Sequence, residues 1–219
     1  MARKPRVHYS GAYYHVMLRG NGGMQIFHDL ADRETFLDLL QESISRFECR
    51  IYAFCLMTNH VYIAIQVSDI SLSKIVQNIS FRYTRFFNKK AKRIGHLFQG
   101  RYKALLVDAD NYLLQLIRYI HLNPLRANMV ANLLDYPWSS HFAYLGKLKI
   151  HWLTTQSVFD LLTDDKNQEL FSYQQFMFDQ VQDSIINFSL TMQKSFPAIC
   201  DDQFMRKLMQ LQKKRWSYN

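Results

Sequence analysis

The chain has 219 residues, of which 48% are hydrophobic and 15% aromatic, and its formal net charge is +9. This size and composition are typical of a globular protein with one sizeable core, and they exclude a disordered or fibrous chain. No apolar run reaches the ~18 residues of a membrane helix, and no signal-peptide pattern follows the basic N-terminus. Three cysteines without zinc-binding spacing favour reduced thiols. We therefore expect a cytoplasmic protein that does not contact a membrane.

The positive charge is concentrated in particular segments. Residues 1–28 and 70–107 contain no Asp or Glu, and the second segment holds nine Lys and Arg residues. Residues 150–205 have the opposite balance, with eight acidic residues against Lys166 and Lys194. A concentrated basic block predicts a nucleic-acid partner, although a solvated basic surface would have the same composition.

The first half of the chain has the pattern of an α+β domain. In chain order, the hydrophobic periodicity and turn residues predict a strand at 11–20, a helix at 29–47, strands at 49–57 and 60–67, a helix at 71–90 and a strand at 98–108. Asp32 is the expected N-cap of the first helix, and Thr58-Asn59 is the expected hairpin turn. The order β-α-β-β-α-β predicts a ferredoxin-like split βαβ fold, an antiparallel sheet with helices on one face.

The second half of the chain is predicted to be helical. A helix over 110–130 should end near Asn123 because Pro124 follows it. A short helix ending at Gly146 and two helices beyond residue 150 come next. The change in composition near residue 148 predicts two parts, a main domain at 1–148 and a helical C-terminal appendage at 149–219.

Two elements carry residues of types that are suited to catalysis and metal binding. "MTNHVYIAI" places His60 and Tyr62 on one face of a strand, because side chains two residues apart point the same way. "RYIHLN" places Tyr119 and Asn123 on one face of a helix. A tyrosine phenol can attack a DNA phosphate, and a divalent metal can assist it. Histidine nitrogen and asparagine oxygen are suitable ligands, so these residues predict a tyrosine nuclease with bound Mg²⁺ or Mn²⁺.

Five ordered segments resemble the REP-associated tyrosine transposases, bacterial relatives of the single-strand insertion-sequence transposases. The segments are "GAYYHVMLRGN", "IFHDLADRETFL", "YAFCLMTNHVYIAI", "HLFQGRYKALLVD" and "YLLQLIRYIHLNPLRANMV". The resemblance covers about residues 8–146. It places the chain in the HUH (His–hydrophobic–His) nuclease superfamily. It implies recognition of palindromic DNA hairpins, single-strand cleavage through a 5′-phosphotyrosine with release of a 3′-OH, and DNA transposition.

Carried over by position, the resemblance makes Tyr119 the nucleophile and His60 and Asn123 metal ligands. Tyr62 stands where the family has its second histidine, and three interpretations remain open. The phenol of Tyr62 coordinates the metal weakly; or His15, from the first strand, replaces the missing ligand; or metal binding is lost and the protein holds hairpin DNA without cutting it. A neutral phenol is a poor ligand compared with imidazole, whereas Mg²⁺ needs few protein ligands.

Seven basic residues are the predicted DNA contacts. They lie on the basic helix, after Gly100 and in an N-terminal arm: Arg82, Arg85, Arg101, Lys103, Arg3, Lys4 and Arg6. Phosphate contacts of this kind give affinity without sequence information. His121 points to another side of its helix than Tyr119 and is expected to be structural or to face DNA.

The sequence thus supports three hypotheses. The first is a metal-assisted, tyrosine-dependent single-strand endonuclease and transposase. The second is a hairpin-binding protein that cannot cut. The third is an RNA-binding protein, because a ferredoxin-like sheet with basic flanks also suits RNA. The partner is expected to be single-stranded or hairpin DNA, and the protein a monomer or a homodimer.

Overall fold

The computed structural model describes residues 7–178, 198–199, 203–204 and 206. Eleven helices and strands have the following bounds in chain order: β1 Tyr13–Arg19, α1 Leu30–Phe47, β2 Arg50–Leu56, β3 His60–Gln66, α2 Leu72–Lys90, β4 Lys103–Val107, α3 Ala109–Arg126, α4 His141–Tyr144, α5 Gln156–Phe159, α6 Glu169–Phe178 and β5 Ala198–Ile199. No helix in the described ranges has both the length and the apolar character needed to cross a bilayer.

The sheet has the predicted ferredoxin-like topology. Its strands lie in the order β2-β3-β1-β4-β5, and the pairs β2–β3, β3–β1 and β1–β4 are antiparallel. The hairpin between β2 and β3 turns at Thr58 and Asn59, as expected. β5 is a short strand parallel to β4, inside the segment that we predicted to be helical. An edge strand of two residues carries too little periodicity to be recognised in a sequence.

The two faces of the sheet are covered by different helices. Side chains alternate along β1, so Leu18 faces α2 while His15 faces α3. α1 and α2 pack together on the first face, where Tyr83 of α2 donates a hydrogen bond to the Ile26 carbonyl. α3 packs on β2 and β3 from the second face. The second face therefore receives both His60 and Tyr119.

The start of α1 differs from the prediction. Asp29, rather than Asp32, is the N-cap, and its carboxylate accepts the Asp32 backbone N–H at 3.2 Å. Asp32 is buried in the first turn, where it accepts the His28 N–H at 2.7 Å and the Lys90 ammonium at 2.6 Å. Both carboxylates thus satisfy backbone donors at this helix end, which makes the two positions hard to distinguish by residue type.

The end of α3 also differs from the prediction. Pro124 lies inside the helix, which continues to Arg126. The Ala127 N–H still reaches the Asn123 carbonyl at 2.9 Å, so the last turn closes around the proline. Proline removes one backbone donor, and only two helical residues, Leu125 and Arg126, follow it.

The C-terminal region contains two helices beyond residue 150, as predicted. α5 has four residues, and α6 ends at Phe178 where the described range ends. Leu153 forms a bridge with Ile51 of β2, and Tyr173 of α6 is fully buried. The boundary proposed at residue 148 remains a prediction.

Candidate active site on the α3 face of the sheet

His60 is the first residue of β3, and it is oriented by the residue before it. His60 Nδ1 donates to Asn59 Oδ1 at 2.7 Å. Because an amide oxygen only accepts, Nδ1 carries the proton and Nε2 presents its lone pair. Partial burial, together with the positive charges of Arg19 and Lys103, lowers the pKa of His60. The neutral ring, which can bind a metal or accept a proton, is therefore favoured.

The turn that carries Asn59 is supported by the loop after β1. The Gly20 N–H donates to the Asn59 carbonyl at 2.9 Å, and Asn59 Nδ2 donates to the Gly23 carbonyl at 3.1 Å. A Cβ at Gly20 would lie 2.1 Å from the Met24 carbonyl oxygen, so only glycine fits there. This loop fixes Asn59 and, through it, the tautomer of His60.

Tyr62 lies beside His60 on the same face. Their rings are stacked, with centroids 6.0 Å apart and an interplanar angle of 11°. Burial is the largest cause that raises the pKa of Tyr62, to about 12. The phenol is therefore neutral at physiological pH. A neutral phenol oxygen is a weak substitute for an imidazole ligand.

Tyr119 approaches this face from α3. Its ring is perpendicular to that of Tyr62 at a centroid distance of 6.1 Å, and it meets the ring of His15 edge-on at 5.6 Å. The Arg126 guanidinium lies 5.2 Å from the Tyr119 ring centroid. Burial raises the pKa of Tyr119, although Arg126 and the Asn123 amide act in the opposite direction. We call His15, His60, Tyr62 and Tyr119 the tyrosine cluster.

Asn123 lies one helical turn after Tyr119 and is largely buried. Its Nδ2 donates to the Tyr119 carbonyl at 2.9 Å. This bond orients the side chain on the face of α3 that also carries Tyr119, as the spacing of four residues predicts. The amide oxygen is the part of the group that suits a hard divalent cation.

His15 is fully buried, and neither of its ring nitrogens has a hydrogen-bond partner among the described residues. Burial lowers its pKa to about 3. The strand register places His15 opposite Ala64, which is four residues along β3 from His60. That spacing is about 13 Å along a strand. The ring of Tyr62 stacks with both histidines, and this arrangement and the register argue against His15 as a replacement ligand beside His60.

Two side chains on this face carry donor atoms of the kinds that divalent ions accept. In the described part of the chain, no three His, Cys, Asp or Glu side chains converge. His60 Nε2 and the Asn123 amide oxygen are nevertheless donors of the types that Mg²⁺ and Mn²⁺ accept. Mg²⁺ usually keeps several waters, so two protein ligands are chemically sufficient.

The predicted DNA-contact residues divide between the two faces. Lys103 pairs with Met17 in the sheet and lies close enough to lower the pKa of His60, so it belongs to the α3 face. Arg82 and Arg85 lie on α2, on the opposite side of the sheet, where Arg82 is paired with Glu42. Exposed Arg101 lines a cavity of about 450 Å³ beside α2. The N-terminal residues Arg3, Lys4 and Arg6 lie outside the described residues.

Two cations near the site were missed from the sequence. Arg19 is the exposed last residue of β1 and pairs in register with His60. Only the register of β1 against β3 reveals this neighbour, and the residue pattern does not specify it. Arg126 follows Tyr119 by seven residues, which is two helical turns, so the helical period could have identified it. Together with Lys103, these residues make the surroundings of His60 and Tyr119 positive.

Comparisons with known proteins agree with this fold. The family described as transposase IS200-like matches residues 8–123, which is more than half of the chain. A solved structure of a REP-associated tyrosine transposase bound to a REP hairpin has a TM-score of 0.55 and 16% identity, and the match covers 76% of this chain and 96% of that one. The likeness extends to the fold alone.

A second solved structure is a protein of Deinococcus radiodurans R1 with a provisional assignment as a transposase. Its TM-score of 0.39 is too low to support an argument; the identity is 16%, and the match covers 52% of this chain and 93% of that one. No curated protein matches the sequence.

Proposed function

Because the chain belongs to the IS200-like transposases, we propose that it nicks and joins single strands at DNA hairpins through Tyr119. Members of this family are metal-dependent DNA transposases, and this membership favours DNA over RNA as the partner of the chain. The protein of the same fold that was solved with a REP hairpin supports a hairpin as the ligand. We expect the protein to act in the cytoplasm, as a monomer or a homodimer.

This proposal rests on the contact that Tyr119 of α3 makes with side chains of β3 within the same chain. Tyr119 contacts the Tyr62 ring at 6.1 Å, and Tyr62 in turn contacts the ring of His60 at 6.0 Å. Arg19, Lys103 and Arg126 supply positive charge around these rings. A tyrosine that is separated from a proton-free imidazole nitrogen by one ring, in positive surroundings, suits a reaction at a phosphate.

The proposed reaction transfers a phosphoryl group to tyrosine. The Tyr119 phenol oxygen forms a bond to phosphorus while the bond from phosphorus to the 3′ oxygen breaks. The phenol loses one proton, and the 3′ oxygen takes one up. Because burial raises the pKa of Tyr119, the phenol is neutral before the attack and must lose its proton during it. Mg²⁺ or Mn²⁺ held by His60 and Asn123 supplies, when bound, charge stabilisation at the phosphate. Arg126 adds a fixed positive charge beside the nucleophile.

Tyr62 favours a second candidate function, hairpin binding without cleavage. The raised pKa of Tyr62 keeps its phenol neutral, so the site has one strong imidazole ligand, His60, instead of two. Loss of even an outer-shell partner costs about 10- to 100-fold in metal affinity. On this alternative, the fold and the cations hold the DNA, and the chemistry is lost.

A labelled hairpin oligonucleotide distinguishes the two candidates. The substrate is a palindromic repeat from DNA next to the gene, incubated with protein and Mg²⁺ or Mn²⁺ and run on a denaturing gel. We expect a covalent adduct with the native chain, and Tyr119→Phe should reduce adduct formation by at least ~10³-fold with hairpin affinity retained. Tight binding with no adduct from the native chain would favour the second candidate. An equal adduct yield from Tyr119→Phe would contradict the assignment of the nucleophile.

A further inference from the structure

A buried chain of hydrogen bonds joins α3 to the C-terminal helix α6. The Tyr173 hydroxyl of α6 lies 2.8 Å from His121 Nδ1 and 2.7 Å from His141 Nδ1. On its other side, His121 Nε2 lies 2.6 Å from Ser140 Oγ. Ser140 Oγ accepts the Phe54 N–H of β2 at 2.9 Å and donates to the Phe54 carbonyl at 3.3 Å. We call Ser140, His121, Tyr173 and His141 the Tyr173 network.

The bonds of the network can be satisfied together by neutral side chains. If His141 Nδ1–H donates to the Tyr173 oxygen, the Tyr173 hydroxyl donates to His121 Nδ1, and His121 Nε2–H donates to Ser140. Each of these four bonds then has one donor and one acceptor, because the Ser140 hydroxyl donates its own hydrogen bond to the Phe54 carbonyl. Burial lowers the pKa of His121 and that of His141, to about 4 for His141, so both rings are neutral at pH 7. Fully satisfied buried networks hold their members in one arrangement.

The network binds α3 at His121, close to Tyr119 in the chain. His121 lies between Tyr119 and Asn123 in the chain but on another side of the helix, where it is fully buried. A second contact between the same helices places the Arg118 guanidinium 5.6 Å from the ring of Phe176. α6 therefore touches α3 at the residue before Tyr119 and at the second residue after it.

We propose that Tyr173 is a positioning residue for the reaction, because it anchors α3 through His121 and thereby holds Tyr119 and Asn123 against the sheet. This inference rests on the proposed function of Tyr119. It assigns the acidic C-terminal region a role in catalysis by the main domain, although α6 contributes no group that touches the reacting atoms.

The chain offers a matched control in Tyr144. Tyr144 is also fully buried, and its ring stacks on that of Tyr173 at 5.0 Å. Its hydroxyl, however, donates to the Tyr52 carbonyl of β2 at 2.8 Å and not to α3. Tyr173→Phe and Tyr144→Phe each remove one buried hydroxyl and keep the ring. Only the first substitution removes a hydrogen bond from His121.

The test compares the two variants by the rate of adduct formation, by hairpin affinity and by amide hydrogen exchange of residues 117–126. A displacement of about 1 Å at a reacting group can cost about 100-fold in rate. We expect Tyr173→Phe to lower the adduct rate by at least ~10-fold with unchanged hairpin affinity, and to speed exchange in 117–126. Tyr144→Phe should lower the melting temperature by a similar amount but leave the adduct rate, the hairpin affinity and the exchange of residues 117–126 unchanged.

The outcomes separate this inference from the proposed function. If the native chain forms no adduct but Tyr173→Phe still speeds exchange in 117–126, the anchoring stands and the proposed reaction fails. If the native chain forms an adduct and the two variants match in rate and exchange, Tyr173 has no positioning role. Should Tyr173→Phe fail to fold, Ser140→Ala removes the other hydrogen bond to His121 and is judged by the same measurements.

Discussion

α3 separates two groups of histidines and tyrosines that differ in their hydrogen bonds. In the Tyr173 network, His121 and His141 have partners within 2.8 Å. In the tyrosine cluster, neither nitrogen of the buried His15 has a partner among the described residues. Buried polar groups are normally paired, so an unpaired one is unusual. The difference indicates that hydrogen bonds fix the first group, whereas ring packing holds the second.

The histidines distinguish the two groups most clearly, and substitution of His60 should have the largest effect on adduct formation. His60→Ala removes the one well-oriented imidazole that faces the positive surroundings of Tyr119. We expect adduct formation with a hairpin to fall by ~100-fold or more, because a ligand or proton acceptor is lost. His151→Ala, at an exposed histidine outside both groups, is the control. Equal activity of the two variants would remove His60 from the site.

Tyr62→His tests whether the tyrosine cluster is a weakened metal site. The substitution adds a second imidazole two residues from His60, on the same face of β3. We expect the affinity for Mn²⁺ to rise by ~10- to 100-fold and metal-dependent nicking to rise with it. Calorimetric titration of Mn²⁺ and the gel assay measure these two quantities. A variant that folds but binds Mn²⁺ no better than the native chain would contradict the two-ligand site.

His15 tests the difference between the two groups through the pH dependence of the free energy of unfolding. Burial lowers the pKa of His15 in the folded chain from 6.5 to about 3. Between these two pH values, the unfolded chain binds a proton at His15 and the folded chain does not. The contribution of His15 to stability is present above pH 6.5 and is lost as the pH falls from 6.5 towards 3. For a shift of this size, the free energy of unfolding should lose about 2 kcal/mol between pH 7 and pH 5.

His15→Leu should remove that part of the acid sensitivity, which denaturant titrations at the two pH values measure. The remaining sensitivity comes from His60, His121 and His141, whose pKa values are also lowered by burial. His151→Leu serves as the control. An unchanged pH dependence in His15→Leu would mean that His15 finds a hydrogen-bond partner in solution.

The basic residues should show the smallest effects, and they distinguish the two faces of the sheet. Lys103→Ala should weaken hairpin binding several-fold, because Lys103 lies beside His60. It should also reduce the slope of log affinity against log salt concentration by about one. Arg82→Ala should do less, since Arg82 lies on α2 and is paired with Glu42. Affinities measured over a range of salt concentrations test this order. The reverse order would place the DNA on the α2 face.

Periodicity and residue type were sufficient for most of the fold and for the centre of the site. The two-residue period of "HVYIAI" placed His60 beside Tyr62, and the four-residue spacing placed Asn123 with Tyr119. Contacts between distant segments could not be read in this way. Arg19 is near His60 only because of the strand register, and Tyr173 meets His121 only because α6 returns to α3.

Local exceptions account for the remaining differences. Asp29 and Asp32 are equally good caps by residue type, and the burial of Asp32 decides between them. Pro124 stops a helix in general, but here the helix continues for two residues, and the Ala127 N–H still bonds to the Asn123 carbonyl. β5 is too short to have a recognisable pattern.

The most direct test of the central claim is to map the residue that becomes attached to DNA. After reaction with a hairpin oligonucleotide, nuclease and trypsin digestion leave a nucleotide on one peptide for mass spectrometry. Cleavage after Arg118 and Arg126 isolates Tyr119 in peptide 119–126, whereas Tyr62 falls in peptide 51–74. We expect the added mass on peptide 119–126. An adduct on peptide 51–74, or on any peptide other than 119–126, would contradict the account.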